Sequence, residues 1–127
     1  MESQCNVCNE IHVLGTHISE HILEELKLLS LSLTDYDYVI NCVGVLVADS
    51  EANNKRAFFL NSWFPHFLSS CMSNSDSKLI HISTDCVFNG IGGKPYLEDT
   101  PPNETKIYGY TKSLGEVNNT KDLTVRT

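Results

Sequence analysis

The sequence lacks any apolar run long enough to cross a membrane. Its longest mainly apolar stretch, Tyr38 to Ala48, contains Asn41 and Gly44 and falls far short of the roughly 20 residues that a spanning helix needs. The N-terminus also lacks a basic segment followed by an apolar one, the pattern of a secretory signal. These absences predict a cytoplasmic protein with no membrane partner.

Basic residues are also scarce. Nine Lys and Arg stand against 16 Asp and Glu, which gives a net charge of −7. Nucleic-acid surfaces need an excess of Lys and Arg, because these residues neutralise phosphates. The charge balance therefore argues against a nucleic-acid partner.

Cysteines are too few and too irregularly spaced for a disulfide scaffold. There are five, an odd number, which favours reduced thiols. Cys5-x-x-Cys8 precedes His12, His17 and His21, but a structural zinc site usually needs a second pair of ligands at set spacing. We therefore expect no metal site.

Helical and strand patterns alternate along the rest of the chain. Apolar residues at helical spacing and short β-branched runs identify the elements. The predicted helices are 19–31, with Ser19 as its cap, about 51–72, interrupted by Pro65, and about 107–117; the predicted strands are 38–43, 78–83 and 123–126. Residues 84–106 should form a long loop. The alternation predicts βαβ units, and hence an α/β fold with a parallel sheet and helices on both faces.

Tyr108 and Lys112 stand four residues apart on the third predicted helix and so share one face. A phenol normally loses its proton near about pH 10, but a nearby ammonium group favours the phenolate. The pair is therefore suited to exchanging a proton with a carbonyl or alcohol oxygen while hydride moves elsewhere. Lys112 would also reach a sugar hydroxyl of a dinucleotide. The alternative is an exposed helix face with an incidental tyrosine and lysine.

Two strand ends add further candidates. In a parallel sheet, ligands bind at the carboxyl ends of the strands. A hydroxyl in Ser83-Thr84-Asp85 could donate a hydrogen bond to the reacting oxygen. Gly44, after Asn41-Cys42-Val43, would let the backbone approach a ligand closely. Either segment could also be a simple turn.

Five motifs in this order resemble those of extended short-chain dehydrogenases/reductases, in particular the dTDP-4-dehydrorhamnose reductases and their sugar-nucleotide relatives. The resemblance covers about Asp37 to Thr127. The motifs are Asn41–Gly44, His81–Gly90, Pro95–Pro102, Tyr108–Lys112 and Gly115–Glu116. The resemblance implies an incomplete Rossmann-like sheet with flanking helices, in one partial NAD(P)-binding domain over 1–127 whose first 16 residues are poorly assignable.

The resemblance also implies roles for individual residues. Thr84 would be the catalytic hydroxyl, Tyr108 the proton donor and Lys112 the lysine that tunes it. The residues on the cofactor side would be Asn41, Cys42, Val43, Gly44, Ser83, Tyr108 and Lys112. The implied activity is reduction of a 4-keto-6-deoxy sugar nucleotide with NADPH or NADH. The full-length protein could be a homodimer.

Two other positions bear on this interpretation. Asn61 matches a supporting helix asparagine, and Pro65 has no N–H to donate to the Asn61 carbonyl. We expect that carbonyl either to hold a water beside Lys112 or to mark a kink that only shapes packing. Cys86 stands where rhamnose reductases often carry tyrosine, which leaves the sugar undetermined.

The resemblance is incomplete at both ends. Relatives begin with a strand, a Gly-rich turn and a helix that holds the pyrophosphate, but Gly15 is the only glycine before Gly44. We therefore expect the first βα unit and the C-terminal substrate region to be missing, and weak or no activity from these 127 residues alone. The alternatives are a sugar-nucleotide epimerase or dehydratase with the same triad, and a non-catalytic binding module resembling the regulatory subunit of methionine adenosyltransferase.

Overall fold

The computed structural model describes residues 22–127. Along this part of the chain, short helices alternate with three strands. In chain order the elements are α1 (Ile22–Ser32), β1 (Tyr38–Asn41), α2 (Val47–Ala52), α3 (Asn54–Ala57), a π-helical stretch (Phe58–Trp63), α4 (Phe64–Cys71), β2 (Lys78–Ser83), α5 (Ile107–Leu114) and β3 (Leu123–Arg126). Two 3₁₀ turns cover Leu33–Asp35 and Asp85–Val87. The predicted cap Ser19 and the Cys5–Cys8 pair with its three histidines lie outside the described residues.

The three strands form one parallel sheet in the order β1-β2-β3. Asn41 on β1 pairs in register with His81 on β2, and Ser83 pairs with Arg126 on β3. The parallel α/β architecture is therefore confirmed. Because all three strands run the same way, their carboxyl ends lie together at one edge of the sheet.

One face of the sheet carries the core. Alternate residues of a strand point to opposite faces, and Leu79 and His81 on β2 are fully buried. The main cluster joins α1, α4 and this face; its buried members are Leu26, Leu33, Phe64, Leu68, Met72, Leu79 and Val117. On the opposite face Tyr38, Ile40 and Leu123 are 60%, 62% and 55% exposed. Helices were predicted on both faces, whereas within residues 22–127 they cover one.

In place of the second predicted helix, the structure has several shorter helices. It begins at Val47 instead of Glu51 and breaks at Asn53. The Asn53 side chain accepts a hydrogen bond from the Arg56 N–H at 3.1 Å, which caps a new helix start. This capping signal explains why α2 and α3 are separate.

The backbone changes from π to α beside Pro65. At the end of the π-helical stretch the Phe64 N–H bonds to the carbonyl five residues back, on Phe59. Pro65 then stands in the first turn of α4, where a missing N–H costs least. The helix interruption that the sequence predicts at Pro65 is thus accommodated by the wider π turn just before it.

Strands β2 and β3 have the predicted bounds, whereas two other elements end early. Strand β1 ends at Asn41, two residues before the predicted end. Helix α5 ends at Leu114, and the Glu116 N–H then bonds three residues back, to the Ser113 carbonyl, instead of four. None of the helices between residues 22 and 127 is long and apolar enough to span a membrane.

Gly115 packs directly against the π-helical stretch. A Cβ placed there would lie 1.8 Å from the Asn61 carbonyl oxygen, with Asn61 itself fully buried. We expect Gly115→Ala to lower the free energy of unfolding by about 2–3 kcal/mol, because two backbones would have to move apart. Urea denaturation measures this, with Asn118→Ala at a nearby exposed position as the control. A loss no larger than the control's would contradict the close contact.

Candidate active site

The predicted site residues meet where the carboxyl ends of β1 and β2 face α5. The chain leaves β1 through residues 42–46 and leaves β2 through Thr84 and the 3₁₀ turn Asp85–Val87. Helix α5 contacts both the π-helical stretch and this 3₁₀ turn. The three segments enclose the carboxyl edge of the sheet, where ligands bind in parallel α/β sheets.

Two buried side-chain amides hold the turn after β1. The Asn41 Oδ1 accepts the Val43 N–H at 3.0 Å. The Asn61 Oδ1 accepts the Val45 N–H at 2.9 Å, while its Nδ2 donates to the Val45 carbonyl at 3.2 Å. Asn41 and Asn61 are 2% and 0% exposed, so water does not compete for these bonds. The backbone of residues 43–45 is therefore fixed from both sides.

Asn61 also connects this turn to α5. Its Nδ2 donates to the Thr111 Oγ1 at 3.1 Å, and Thr111 in turn donates to the Tyr108 carbonyl at 3.0 Å. The next residue of the π-helical stretch, Ser62, donates to the Thr111 carbonyl at 2.8 Å. Asn61 thus joins the turn after β1 to α5 through hydrogen bonds.

Gly44 brings the turn close to Lys112. A Cβ placed on Gly44 would lie 3.0 Å from the Asn61 Oδ1 and 3.9 Å from the Lys112 Nζ. A side chain here would be in ordinary contact with the Lys112 Nζ, but the Asn61 amide would have to give way. Gly44 therefore allows the turn to pack closely on Asn61, and its predicted approach to a ligand stays a prediction.

Lys112 is a buried ammonium group with a backbone partner. Its side chain is 6% exposed, and its Nζ donates to the Ile82 carbonyl at 2.8 Å. Burial lowers the pKa of Lys112, against the opposing influence of Glu116 and Cys42. The strand β2 thus fixes the head of the lysine close to the turn that contains Gly44.

Thr84 and Tyr108 lie on the two segments that pack together beside Lys112. A Cβ on Gly109 would lie only 2.1 Å from the Cys86 carbonyl oxygen, so α5 touches the backbone after Thr84. The Thr84 Oγ1 accepts the Cys86 N–H at 3.2 Å and donates to the Asp85 Oδ1 at 3.5 Å. Among the described residues no hydrogen bond joins the Thr84, Tyr108 and Lys112 side chains, and their roles as a triad stay a prediction.

Ser83 and the two exposed cysteines occupy different surroundings. The Ser83 hydroxyl donates to the Glu116 Oε1 at 2.8 Å, and Glu116 is held by two hydrogen bonds from Arg126, at 2.8 and 2.7 Å. The Ser83 hydroxyl is thus already hydrogen-bonded within the protein. Cys42 and Cys86 carry free, exposed thiols.

A cleft of about 520 Å³ adjoins the 3₁₀ turn. Its aromatic wall is a parallel stack of Phe88 on Tyr96, with ring centroids 4.1 Å apart, and the Arg126 guanidinium lies 5.0 Å from the Phe88 centroid. Cys86 opens into it. The full lining is Asp85, Cys86, Phe88, Gly90, Tyr96, Leu97, Glu98 and Arg126.

His81 lies behind the turn after β1, fully buried, and sequence reasoning did not select it. Its Nδ1 lies 3.1 Å from the Asn41 Nδ2, and its Nε2 is buried with no hydrogen-bond partner among the described residues. Burial, followed by the positive charge of Lys112, lowers the pKa of His81 to about 4. A histidine within a buried apolar strand was the available signal.

Across residues 22–127 no three His, Cys, Asp or Glu side chains are grouped so that they could hold a metal.

Comparison with known proteins identifies the family. The sheet and its carboxyl-edge site define a Rossmann-like α/β domain. Residues 8–127 match the RmlD substrate binding domain family, and the chain belongs to that family.

Individual relatives agree with this assignment. The spore coat polysaccharide biosynthesis protein SpsK of Bacillus subtilis (strain 168) is 36% identical over 81 residues, 63% of this chain and 29% of SpsK. The dTDP-4-dehydrorhamnose reductase of Streptomyces griseus is 37% identical over 79 residues, 61% of this chain and 26% of the relative. The chain thus spans between a quarter and a third of the length of these proteins.

A solved structure supports the fold as well. The dTDP-4-dehydrorhamnose reductase of Bacillus anthracis str. Ames, in complex with NADP, superposes with a TM-score of 0.69 at 26% identity. The match covers 80% of this chain and 39% of that one.

The lowered pKa of His81 predicts how stability depends on pH. Between about pH 4 and its ordinary value of 6.5, the unfolded chain binds a proton at His81 that the folded chain does not. The contribution of neutral His81 to the free energy of unfolding should therefore be fully present above pH 6.5. It should be lost as the pH drops towards 4, by about 3 kcal/mol.

Urea denaturation between pH 4 and pH 7 measures this loss, with His81→Asn as the comparison because it removes the titrating group. The variant's unfolding free energy should change less over this range. Equal pH dependence in both proteins would contradict the buried neutral imidazole.

Proposed function

We propose that the protein is an NADPH- or NADH-dependent reductase of a 4-keto-6-deoxy sugar nucleotide. The observation that carries the proposal is the convergence of Gly44, Asn61 and Lys112 at the carboxyl edge of the sheet, where a Gly44 Cβ would lie 3.9 Å from the Lys112 Nζ. A lysine held against a glycine turn matches the arrangement that the sequence motifs imply. The reductase relatives and the NADP complex of the Bacillus anthracis protein support it.

The chain's own residues fit a dinucleotide at this edge. The turn of Asn41, Cys42, Val43 and Gly44 lies at the carboxyl edge of the sheet, where a flat group can lie against its backbone. Cys42 is exposed there, and Lys112 has further N–H donors beyond the one on Ile82. Ser83 would contribute through its backbone, because its hydroxyl is bound to Glu116. The dinucleotide, when bound, supplies the hydride.

The protein side of the reaction falls to three residues. Tyr108 gives its phenolic proton to the carbonyl oxygen of the substrate as negative charge develops there. Lys112 favours the resulting phenolate by its positive charge. Thr84 donates its hydroxyl to the same oxygen. Among residues 22–127 its only acceptor is Asp85 at 3.5 Å, a long contact that gives way easily.

The cleft beside Cys86 would take the sugar portion of the substrate. Its stacked rings of Phe88 and Tyr96 and the carboxylates of Asp85 and Glu98 offer both apolar and polar contacts to a sugar. Pyrophosphate binding would need groups outside residues 22–127. Weak or absent turnover therefore remains the expectation for the 127 residues alone.

Replacing the tyrosine tests the proposed chemistry. Tyr108→Phe should lower kcat about 10²–10⁴-fold, because the proton donor is lost. Tyr110→Phe is the matched control: it lies on the same helix with its side chain 43% exposed, and its kcat should stay within about twofold of the unaltered protein. Equal effects of the two substitutions would contradict the role of Tyr108.

The assay uses the protein expressed in full from its own gene, with a 4-keto-6-deoxy sugar nucleotide and NADPH or NADH. Oxidation of NADPH or NADH, with formation of a 4-hydroxyl group on the sugar, supports the reductase. An epimerised sugar without net oxidation would favour an epimerase. Binding without turnover would favour a regulatory module.

A further inference from the structure

His81 is a polar residue fully buried in the middle of β2, between Ile80 and Ile82. It pairs in register with Asn41, the last residue of β1. Its Nδ1 lies 3.1 Å from the Asn41 Nδ2, while its Nε2 is buried and unpartnered within residues 22–127. A buried donor without a partner costs about 1–3 kcal/mol. An apolar side chain would avoid that cost, so packing alone does not account for a histidine here.

The hydrogen bonds of Asn41 determine which imidazole nitrogen carries the proton. Its Oδ1 accepts the Val43 N–H at 3.0 Å, so its Nδ2 must face His81. An amide nitrogen only donates. The His81 Nδ1 must therefore accept, which requires a neutral ring protonated at Nε2.

The opposite protonation would break the turn. With a proton on Nδ1, two donors would face each other at 3.1 Å. The Asn41 amide would then rotate to present its oxygen to His81, which would direct its NH₂ group at the Val43 N–H. Both hydrogen bonds depend on the same orientation of one amide.

The electrostatic surroundings keep the ring neutral. The charged and titratable groups that act on His81 are Lys112 and Glu116, from α5 and the residues that follow it, and His66 from α4. The burial of the ring and the positive charge of Lys112 both disfavour an imidazolium, and they outweigh Glu116 and the Asn41 backbone, which favour it. The acceptor at Nδ1 is therefore stable at neutral pH.

We propose that His81 is a positioning residue: its unprotonated Nδ1 orients the Asn41 amide and thereby holds the 42–45 turn in the shape that receives the dinucleotide. The binding part of this proposal rests on the proposed function. The orientation of the turn does not, because it concerns hydrogen bonds within the chain. His81 itself touches neither the substrate nor the cofactor.

The tautomer is tested directly by NMR. Long-range ¹H–¹⁵N correlations of the ¹⁵N-labelled protein, expressed in full from its own gene, should show His81 neutral at pH 7 with its proton on Nε2. A proton on Nδ1, or an imidazolium at that pH, would overturn the proposal. This result does not depend on any enzymatic activity.

Two substitutions then separate positioning from packing. In His81→Asn the new Oδ1 stands about where the imidazole Nδ1 stood, one bond beyond Cγ, and so keeps an acceptor for Asn41. In His81→Gln the side-chain amide is displaced outwards and that acceptor is lost. Amide exchange at Val43 should become about fivefold faster in His81→Gln, the equivalent of one hydrogen bond, and should be restored in His81→Asn.

Kinetics provide the functional readout. We expect His81→Gln to raise the KM for NADPH about fivefold with kcat unchanged at saturation, and His81→Asn to restore it. His66→Gln, at an exposed histidine of α4, controls for loss of an imidazole. Equal Val43 exchange in the two His81 variants would overturn the proposal. Failure of the unaltered protein to bind NADPH would instead overturn the proposed function, with the NMR results still deciding the role of His81.

Discussion

The side-chain amide of Asn61 makes three hydrogen bonds in a fully buried position. Two of them hold both backbone groups of Val45, and the third reaches Thr111 on α5. Its own carbonyl faces Gly115, where no side chain fits. One residue thus fixes the turn after β1, the helix that carries Tyr108 and Lys112, and the end of that helix. The turn and the helix are therefore positioned relative to each other through one side chain.

The strand bounds could be predicted from the sequence where the local residue types alone determine them. Strands β2 and β3 have the bounds predicted, since both are short segments with β-branched residues between polar loops. Strand β1 is shorter than predicted because Asn41 bonds to the Val43 N–H and turns the chain. A pattern of apolar residues does not reveal such a bond. The break at Asn53 could have been found, because asparagine is a common helix cap.

The site was predictable in part, and the reason lies in sequence distance. Gly44, Asn61 and Lys112 were each selected from motifs, and the structure brings them together. His81 was missed because its role appears only when β1 and β2 pair, which joins residues 40 positions apart. Ser83 stays a predicted cofactor-side residue, but the sequence did not reveal that its hydroxyl donates to Glu116, 33 residues away. Contacts of this kind arise from tertiary structure alone.

The π-helical stretch Phe58–Trp63 has a consequence for how the chain tolerates changes of length. Each α-helical residue turns the chain by about 100°, so a π turn holds one residue more than the α-helical path requires. Deleting one residue here would let the helix close into ordinary α geometry without losing its hydrogen bonds. The two flanks of the helix would keep their relative orientation, because the wide turn had already absorbed the extra residue. Asn61 lies inside the stretch, so its side chain would lose its present direction towards Val45, in a helix more regular than the natural one.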